Sequence, residues 1–465
     1  MALANVDEVP PGGPGAAPGA GLRFGRAPGA WPLLGHVVAL QRRPLKFLDS
    51  LAIHGDLVEI RLGPRRAFML CHPDLAYRVL TDFRAYDRTG PVYDRVRAAM
   101  GNGLATAAHS EHRRQRLAMQ PAFRHEHLRG YVDVMRQEVT AAMDAWRDGL
   151  AVDVVEEMFK LTTTVALRAL FSCSMGSRDA DELRESFDVF LRGTYVRAAL
   201  PILGKLPTPG NRRYDQAIAR WRGQVHDLIE GCRRAAADRG DLLSRLLLAA
   251  RDGQGLTDEE LSDQVAVLLL AGGETTSAAL VWSLHLLAGH PEVLDALHAE
   301  VDAVLGGDVA GWEHLSGLDL TARVVREALR LYPPAWIVIR TCERETRLAG
   351  HTLPVGSTLL FSSYVLHRHP DFFPRPHQFD PGRWLDLAGG AGGGAAHRNY
   401  FLPFGAGATK CIGAEFGLAE ATLALASICA RWKLTPEPGH NASPAARAVL
   451  VPRTLPMRLS ARSAP

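Results

Sequence analysis

The residues best suited to chemistry stand in one short segment, "PFGAGATKCIGAEFGLAEA", Pro403 to Ala421. A single thiol, Cys411, follows the small-residue run Gly405-Ala406-Gly407-Ala408 and precedes Gly413. Glycine lets a backbone approach a bulky flat group closely, or take positive φ. From Ile412 to about Ala430 the chain is rich in Ala, Leu and Ile at helical spacing, which places Cys411 at a helix N-terminus. Exposed N–H groups and the helix dipole there favour thiolate over thiol. Such a thiolate is either a nucleophile or a ligand to a soft or borderline metal. The alternative is a buried structural cysteine, and the glycine spacing argues against it.

A second group is "AGGETT", Ala271 to Thr276, inside a long apolar stretch. Two glycines in a helix interior each cost up to about 1 kcal/mol relative to alanine. They are explained if something passes close to that face or if the helix opens locally. Glu274 and Thr275 set an acid beside an alcohol, a pair suited to relaying a proton; a threonine bonding back to the preceding turn is the plainer use. A third pair, Glu327 and Arg330, lies three residues apart and so on one helix face, where an exposed ion pair would contribute little.

The elements that carry these groups are mostly helical. Thr257-x-x-Glu260 is a capping box, with Asp258 and Glu259 at the positive end of a helix that runs to about Ala288. Pro291 opens the next helix, and a third begins near Leu320 and ends at Pro333 and Pro334. Near the N-terminus, Val58, Ile60 and Leu62 alternate with Glu59 and Arg61 ahead of a Gly63-Pro64 turn, which predicts a hairpin with one wet face. A second strand-rich patch spans Thr346 to His367. The fold class expected is mainly α with small β-sheet patches drawn from both ends of the chain. Residues 1–30 are expected to be a flexible Pro/Gly-rich tail and 31–465 a single domain; the Gly-rich insert Leu387 to Ala396 reads as a loop.

Hydrophobic residues make up 47% of the chain and charged residues 22%, the balance of a large-cored globular protein. A formal charge of +3 is too small to argue for nucleic acid. The six cysteines include no C-x-x-C pair, which excludes the usual zinc spacings and a disulfide framework, so a reducing cytoplasm is expected. Val265 to Gly289 is long and apolar, but Glu274 and neighbouring polar groups favour a buried core helix over a membrane span. "HEH" at His125 to His127 and "HRH" at His367 to His369 lack H-E-x-x-H spacing and read as exposed or loop histidines.

Taken in order and spacing, these groups resemble the cytochromes P-450, the haem-thiolate monooxygenases, over residues 31 to 460. The pattern F-G-x-G-x-[RH]-x-C-x-G matches Phe404, Gly405, Gly407, Cys411 and Gly413; [AG]-G-x-[DE]-T-[TS] matches Ala271, Gly272, Glu274, Thr275 and Thr276. E-x-x-R matches Glu327 and Arg330, and "FDPGRW" supplies Phe379, Pro381, Arg383 and Trp384. The resemblance implies haem b with Cys411 as its axial thiolate, Phe404 and Gly405 beside the sulfur, and O2 as co-substrate. It makes Thr275 and Glu274 the proton-delivering pair, and Glu327, Arg330 and Arg383 a structural ion cluster. Propionate contacts would come from His112 and Arg116, four apart on one helix face, and from Arg340. Thr409 departs from the pattern, which has Arg or His there. On this reading Thr409→Arg is expected to strengthen haem retention.

The resemblance further implies a monomer fed with electrons from NAD(P)H through a ferredoxin and a ferredoxin reductase, since the chain shows no flavin or iron–sulfur module. Arg113, Arg114, Arg124 and Lys410 are expected to face that carrier. A pocket lined by Leu270, Ala271, Ala335, Trp336 and Val338 would admit a hydrophobic small molecule. A closer likeness to actinobacterial terpene-hydroxylating members favours a sesquiterpene-like substrate in secondary metabolism. The alternatives are a peroxide-driven or isomerising haem-thiolate enzyme and a non-catalytic haem-binding protein; the intact Glu274-Thr275 pair counts against both.

Overall fold

The computed structural model describes residues 21–172, 206–235, 241–251, 255–385 and 399–462, with isolated positions between 181 and 198. The Gly-rich insert Leu387 to Ala396 and residues 1–20 lie outside them.

A 31-residue helix, Asp258–Ala288, forms the axis of the molecule. Thr257 accepts from the Glu260 N–H while the Glu260 carboxylate accepts from the Thr257 N–H, closing the expected capping box. The helix is apolar nearly all round because it is covered on several sides, by Val154–Phe171, Ala414–Arg431, Asp319–Leu331 and Pro209–Ala235. It is long and apolar enough to cross a membrane, but 78% of its most apolar window is buried inside the fold.

The main sheet has six strands in the order Phe24–Arg26, Leu57–Leu62, Arg65–Leu70, Thr358–Phe361, Val338–Cys342, Tyr86–Asp87, so the two ends of the chain share it as expected. Two expectations are corrected here. Phe24–Arg26 pairs in parallel with Leu57–Glu59, so ordered structure begins inside the stretch read as tail. The hairpin also has no wet face. Val58, Ile60 and Met69 enter one cluster with Leu48 and Leu360, while Leu57, Phe68 and Leu70 enter another with Leu75 and Leu359. Both faces are therefore covered, and Glu59 is only 7% exposed, held between Arg26 at 3.4 Å and Arg66 at 3.5 Å. The alternation marked the two faces correctly but not what lay against them.

Candidate active site

The cysteine segment is a tight loop closed on itself. The Cys411 N–H donates to the Phe404 carbonyl at 2.9 Å, and the Gly405 N–H to Leu402 at 3.1 Å. Gly405 and Gly407 have φ of 70° and 66°, a region that favours glycine. A Cβ on Gly407 would also lie 2.6 Å from the Leu80 carbonyl oxygen, whereas one on Gly405 would meet no protein atom within 4 Å. One glycine is thus needed for chain packing, and the other borders open space. The helix Ala414–Arg431 starts slightly later than the sequence suggests, with Gly413 as its N-cap. Cys411 is exposed, yet the protein packed around it pushes the thiol up on balance, with the Gly413 N–H, Arg116 and Lys410 acting in the opposite sense.

Basic side chains converge on this loop from three elements. Arg116, on the helix His109–Met119, donates to the Lys410 carbonyl at 2.6 Å. Arg340, on the strand Val338–Cys342, donates to the Thr409 hydroxyl at 3.3 Å. Arg88, which the sequence reading missed, donates to the Thr409 carbonyl at 3.4 Å and to that of Leu104 at 2.7 Å. Burial, then the Arg340 charge, brings the Arg88 guanidinium down to about 10. Buried His112 is lowered to about 4 by burial and then by Arg88 and Arg116, so in the protein alone it is a neutral hydrogen-bonding group and not the cation expected. Asp87, the acid that Arg88 and His112 both feel, has its carboxylate turned to the N–H groups of Arg88 and His109.

On the central helix, Ala271 is exposed and Gly272, Glu274 and Thr275 are half-buried, although the residues before and after are buried. The polar stretch is therefore an uncovered stripe on an otherwise buried helix. The Thr275 hydroxyl donates to the Ala271 carbonyl at 2.6 Å, the back-bond expected of a helical threonine. What passes close to the glycine pair is the helix Val154–Phe171: a Cβ on Gly272 would lie 2.9 Å from Ala166, and one on Gly273 2.6 Å from Thr163 Oγ1. On the neighbouring face, Thr276 lies against Gly417 and Glu420 of the cysteine helix. Burial holds the Glu420 carboxyl well above the usual range, and nothing in the sequence beyond a glutamate in an apolar run marked it.

Glu327, Arg330 and Arg383 come together as expected. Glu327 and Arg330 are both fully buried, 2.8 Å apart, and Arg383 Nε lies 3.2 Å from the same carboxylate. Trp384 Nε1 adds a donor at 3.0 Å. Arg330 spends its remaining N–H groups on the carbonyls of His367, Pro376 and Gln378. His367, read as exposed or in a loop, is fully buried and accepts from the Leu402 N–H at 2.9 Å, just before the cysteine loop.

Of the expected pocket residues, Ala271 and Ala335 are exposed and Val338 is half-buried. Leu270 and Trp336 are corrected: Leu270 is buried in the main core and Trp336 packs beside Leu48 and Leu360, its indole N–H bonded to the Arg447 carbonyl at 2.9 Å. Helical rotation carries Leu270 about 100° from Ala271 and hence into the core. Among the described residues no three His, Cys, Asp or Glu side chains are grouped so as to hold a metal ion.

The family model of the cytochromes P-450 matches residues 26–458. The chain is 46% identical over 419 residues to cyclooctat-9-en-7-ol 5-monooxygenase of Streptomyces melanosporofaciens, covering 89% of this chain and 90% of that one. It is 46% identical to cyclooctatin synthase of the same organism, covering 90% and 91%, and 43% identical to pentalenene oxygenase of Streptomyces avermitilis, covering 94% and 98%. The chain belongs to the cytochrome P-450 family, and its enzyme class is that of a P-450 monooxygenase.

The family implies haem iron and O2, and the residues present fit the group. Arg88, Arg116 and Arg340 converge on Thr409 and Lys410 with no carboxylate among the described residues bonded to their guanidiniums, and buried cations such as Arg88 and Arg340 are costly without anions. That donor set suits a ligand with two carboxylates. The bare glycine side of the Cys411 loop and the open stripe at Ala271 and Thr275 suit a flat body between the two helices.

Proposed function

We propose that this enzyme hydroxylates, or oxidises further, an unactivated C–H bond of a terpene in secondary metabolism, with electrons from NAD(P)H delivered by a separate ferredoxin and its reductase. Haem held by Cys411 would supply oxygen activation, a thiolate ligand favouring O–O cleavage. The observation that carries the reading is the convergence of Arg88, Arg116 and Arg340 on the loop that presents Cys411, with no carboxylate among the described residues bonded to the three guanidiniums.

The chain's own groups then divide the work. Cys411 would hold the metal, with Phe404 and Gly405 shaping the loop that carries the sulfur. Arg116 and Arg340 would hold the carboxylates, and His112 would donate to them as a neutral imidazole. Thr275 would deliver its hydroxyl proton by opening the bond that holds it on the Ala271 carbonyl, and Glu274, one residue before it, would replenish it. Ala271, Ala335 and Val338 present apolar surface, which retains a hydrocarbon without demanding polar anchors. Glu327, Arg330 and Arg383 fix the approach to the cysteine loop and take no part in the reaction.

The terpene assignment rests on the likeness to three oxygenases of terpene metabolism over about nine-tenths of their length or more. The carrier would meet the face bearing Arg113, Arg124 and Lys410, all exposed, with Leu117 61% exposed among them. Arg114 belongs to the same face, paired with Glu260. A cationic face with an apolar centre suits an acidic partner, and reduction by ferredoxin should slow as salt is raised. Titrating candidate terpenes against the iron's water-loss spectral change, followed by mass analysis of products, tests the function. Saturable spectral shifts and a product heavier by one oxygen are expected. No shift with any terpene, alongside turnover of another hydrophobic class, would overturn the substrate assignment.

A further inference from the structure

The helix Gly90–Met100 has no buried residue among those described, so little apolar burial holds it down. Its C-terminal end is held by polar groups instead, from two consecutive residues of the central helix. The Asn102 N–H donates to the Asp263 carboxylate at 2.6 Å, and the Leu104 N–H to Gln264 Oε1 at 2.9 Å. The chain is shaped for this contact. Gly101 has a φ of 85°, and a Cβ on it would overlap the Asp263 carboxylate. A Cβ on Gly103 would lie 2.7 Å from the Asp263 carbonyl oxygen and 2.8 Å from Val267 Cγ2. The loop is also closed on itself, the Thr106 hydroxyl donating to the Gly101 carbonyl at 2.7 Å. Arg222, on the helix Pro209–Ala235, donates to the Ala98 carbonyl at 3.0 Å, and its charge acts on Asp263. Three elements therefore meet at this one carboxylate.

Asp263, Val267, Ala271 and Thr275 stand four residues apart and form one ridge of the central helix. The loop lies over the first two, and Val267 is only 4% exposed. From Ala271 the ridge is uncovered. The loop thus walls off one end of the open stripe. We propose that Asp263 and Gln264 are positioning residues that latch loop 101–106 as the end wall of the substrate space, and so decide which C–H bond of the substrate is presented. This rests on the reading above, in which the open stripe receives the substrate. Both residues act through the loop. Wall and Thr275 are carried by the same helix, so a hydrocarbon with no polar anchors takes its register from the wall.

The test pairs amide hydrogen exchange of the holoenzyme with product analysis. In Asp263→Ala the Asn102 N–H loses a charged acceptor. Amides 101–106 should then exchange about ten- to a hundredfold faster, the range for one bond to a charged group, with no change in the strands Leu57–Leu62 and Arg65–Leu70. A terpene that the unmodified protein oxidises at a single position should bind more weakly by up to the same factor and give several positional isomers. Asp263→Asn keeps an acceptor oxygen and should return both readouts most of the way. If Asp263→Ala does not fold, Gln264→Leu takes its place, with the Leu104 N–H as the freed group and the same two readouts. Unchanged exchange at 101–106 would overturn the latch. Faster exchange with an unaltered product pattern would overturn its role in specificity, and so would Asp263→Asn behaving as Asp263→Ala does. Failure of the underlying reading looks different: the exchange responds as expected, while the unmodified protein binds no terpene.

Discussion

The Thr162 hydroxyl donates to the carbonyl of Gly273 at 2.7 Å, tying the helix Val154–Phe171 to the middle of the central helix. This contact is possible because Gly273 has no side chain: a Cβ there would lie 2.6 Å from Thr163 Oγ1. Gly273→Ala gains helix propensity of up to about 1 kcal/mol but forces the two helices apart, an overpacking cost of about 1–3 kcal/mol. A net loss of stability is expected by denaturant unfolding. Thr163→Ala in the same chain should restore it, because Thr163 Oγ1 is buried with no hydrogen-bond partner among the described residues and loses little when removed.

The Glu327 cluster should behave as a fold element. Glu327→Gln leaves the buried Arg330 and Arg383 charges uncompensated, at a cost of about 3–5 kcal/mol, whereas Arg383→Ala leaves Glu327 paired with Arg330 and costs about 1.5–3 kcal/mol, the range for one bond to a charged group. Trp384→Phe removes one donor from Glu327, at about 1.5–3 kcal/mol for a bond to a charged group. Unfolding midpoints and haem content should fall together, while turnover per haem in the surviving fraction stays near that of the unmodified protein.

Thr275→Ala removes the hydroxyl from the exposed stripe and leaves the helix otherwise intact. Loss of a positioned proton donor costs about a hundredfold or more, so product formed per electron consumed should drop sharply with no change in the substrate-binding spectral titration. Thr275→Ser should retain most of the coupling. Equal coupling in the alanine variant would remove Thr275 from the proton path.

His367 makes stability depend on acid. Burial, then Arg330 and Arg368, lowers it from 6.5 to about 3 in the folded protein. The unfolded chain therefore binds the extra proton first, and the stability present above pH 6.5 is lost as pH falls toward about 3. At pH 5 this single group accounts for about 2 kcal/mol. His367→Gln keeps an acceptor for the Leu402 N–H but does not titrate, so its denaturant midpoint should fall less between pH 7.5 and pH 5 than that of the unmodified protein.

Much of this was legible in the sequence because it rests on local patterns. The capping box at Thr257, the glutamate-arginine pair at Glu327 and Arg330, and the glycines before Cys411 are short-range signals, and each is where it was expected. What was missed depends on chain segments far apart. Arg88 reaches Thr409 across 321 positions, and no spacing rule links them. The neutral state of His112 and the burial of Glu59, Trp336 and His367 likewise depend on what packs against them. The glycines of the central helix were read correctly as marks of close approach, but the partner is a helix, Val154–Phe171.

The most direct test of the central claim is the absorption spectrum of the reduced, carbon-monoxide-treated protein, taken for the unmodified chain and for Cys411→Ser. The unmodified chain should show the strongly red-shifted band of thiolate-ligated haem, and the variant should lose it while Cys429→Ser and Cys342→Ser keep it. A histidine-type band in the unmodified protein, or a thiolate-type band that survives in Cys411→Ser, would contradict the account.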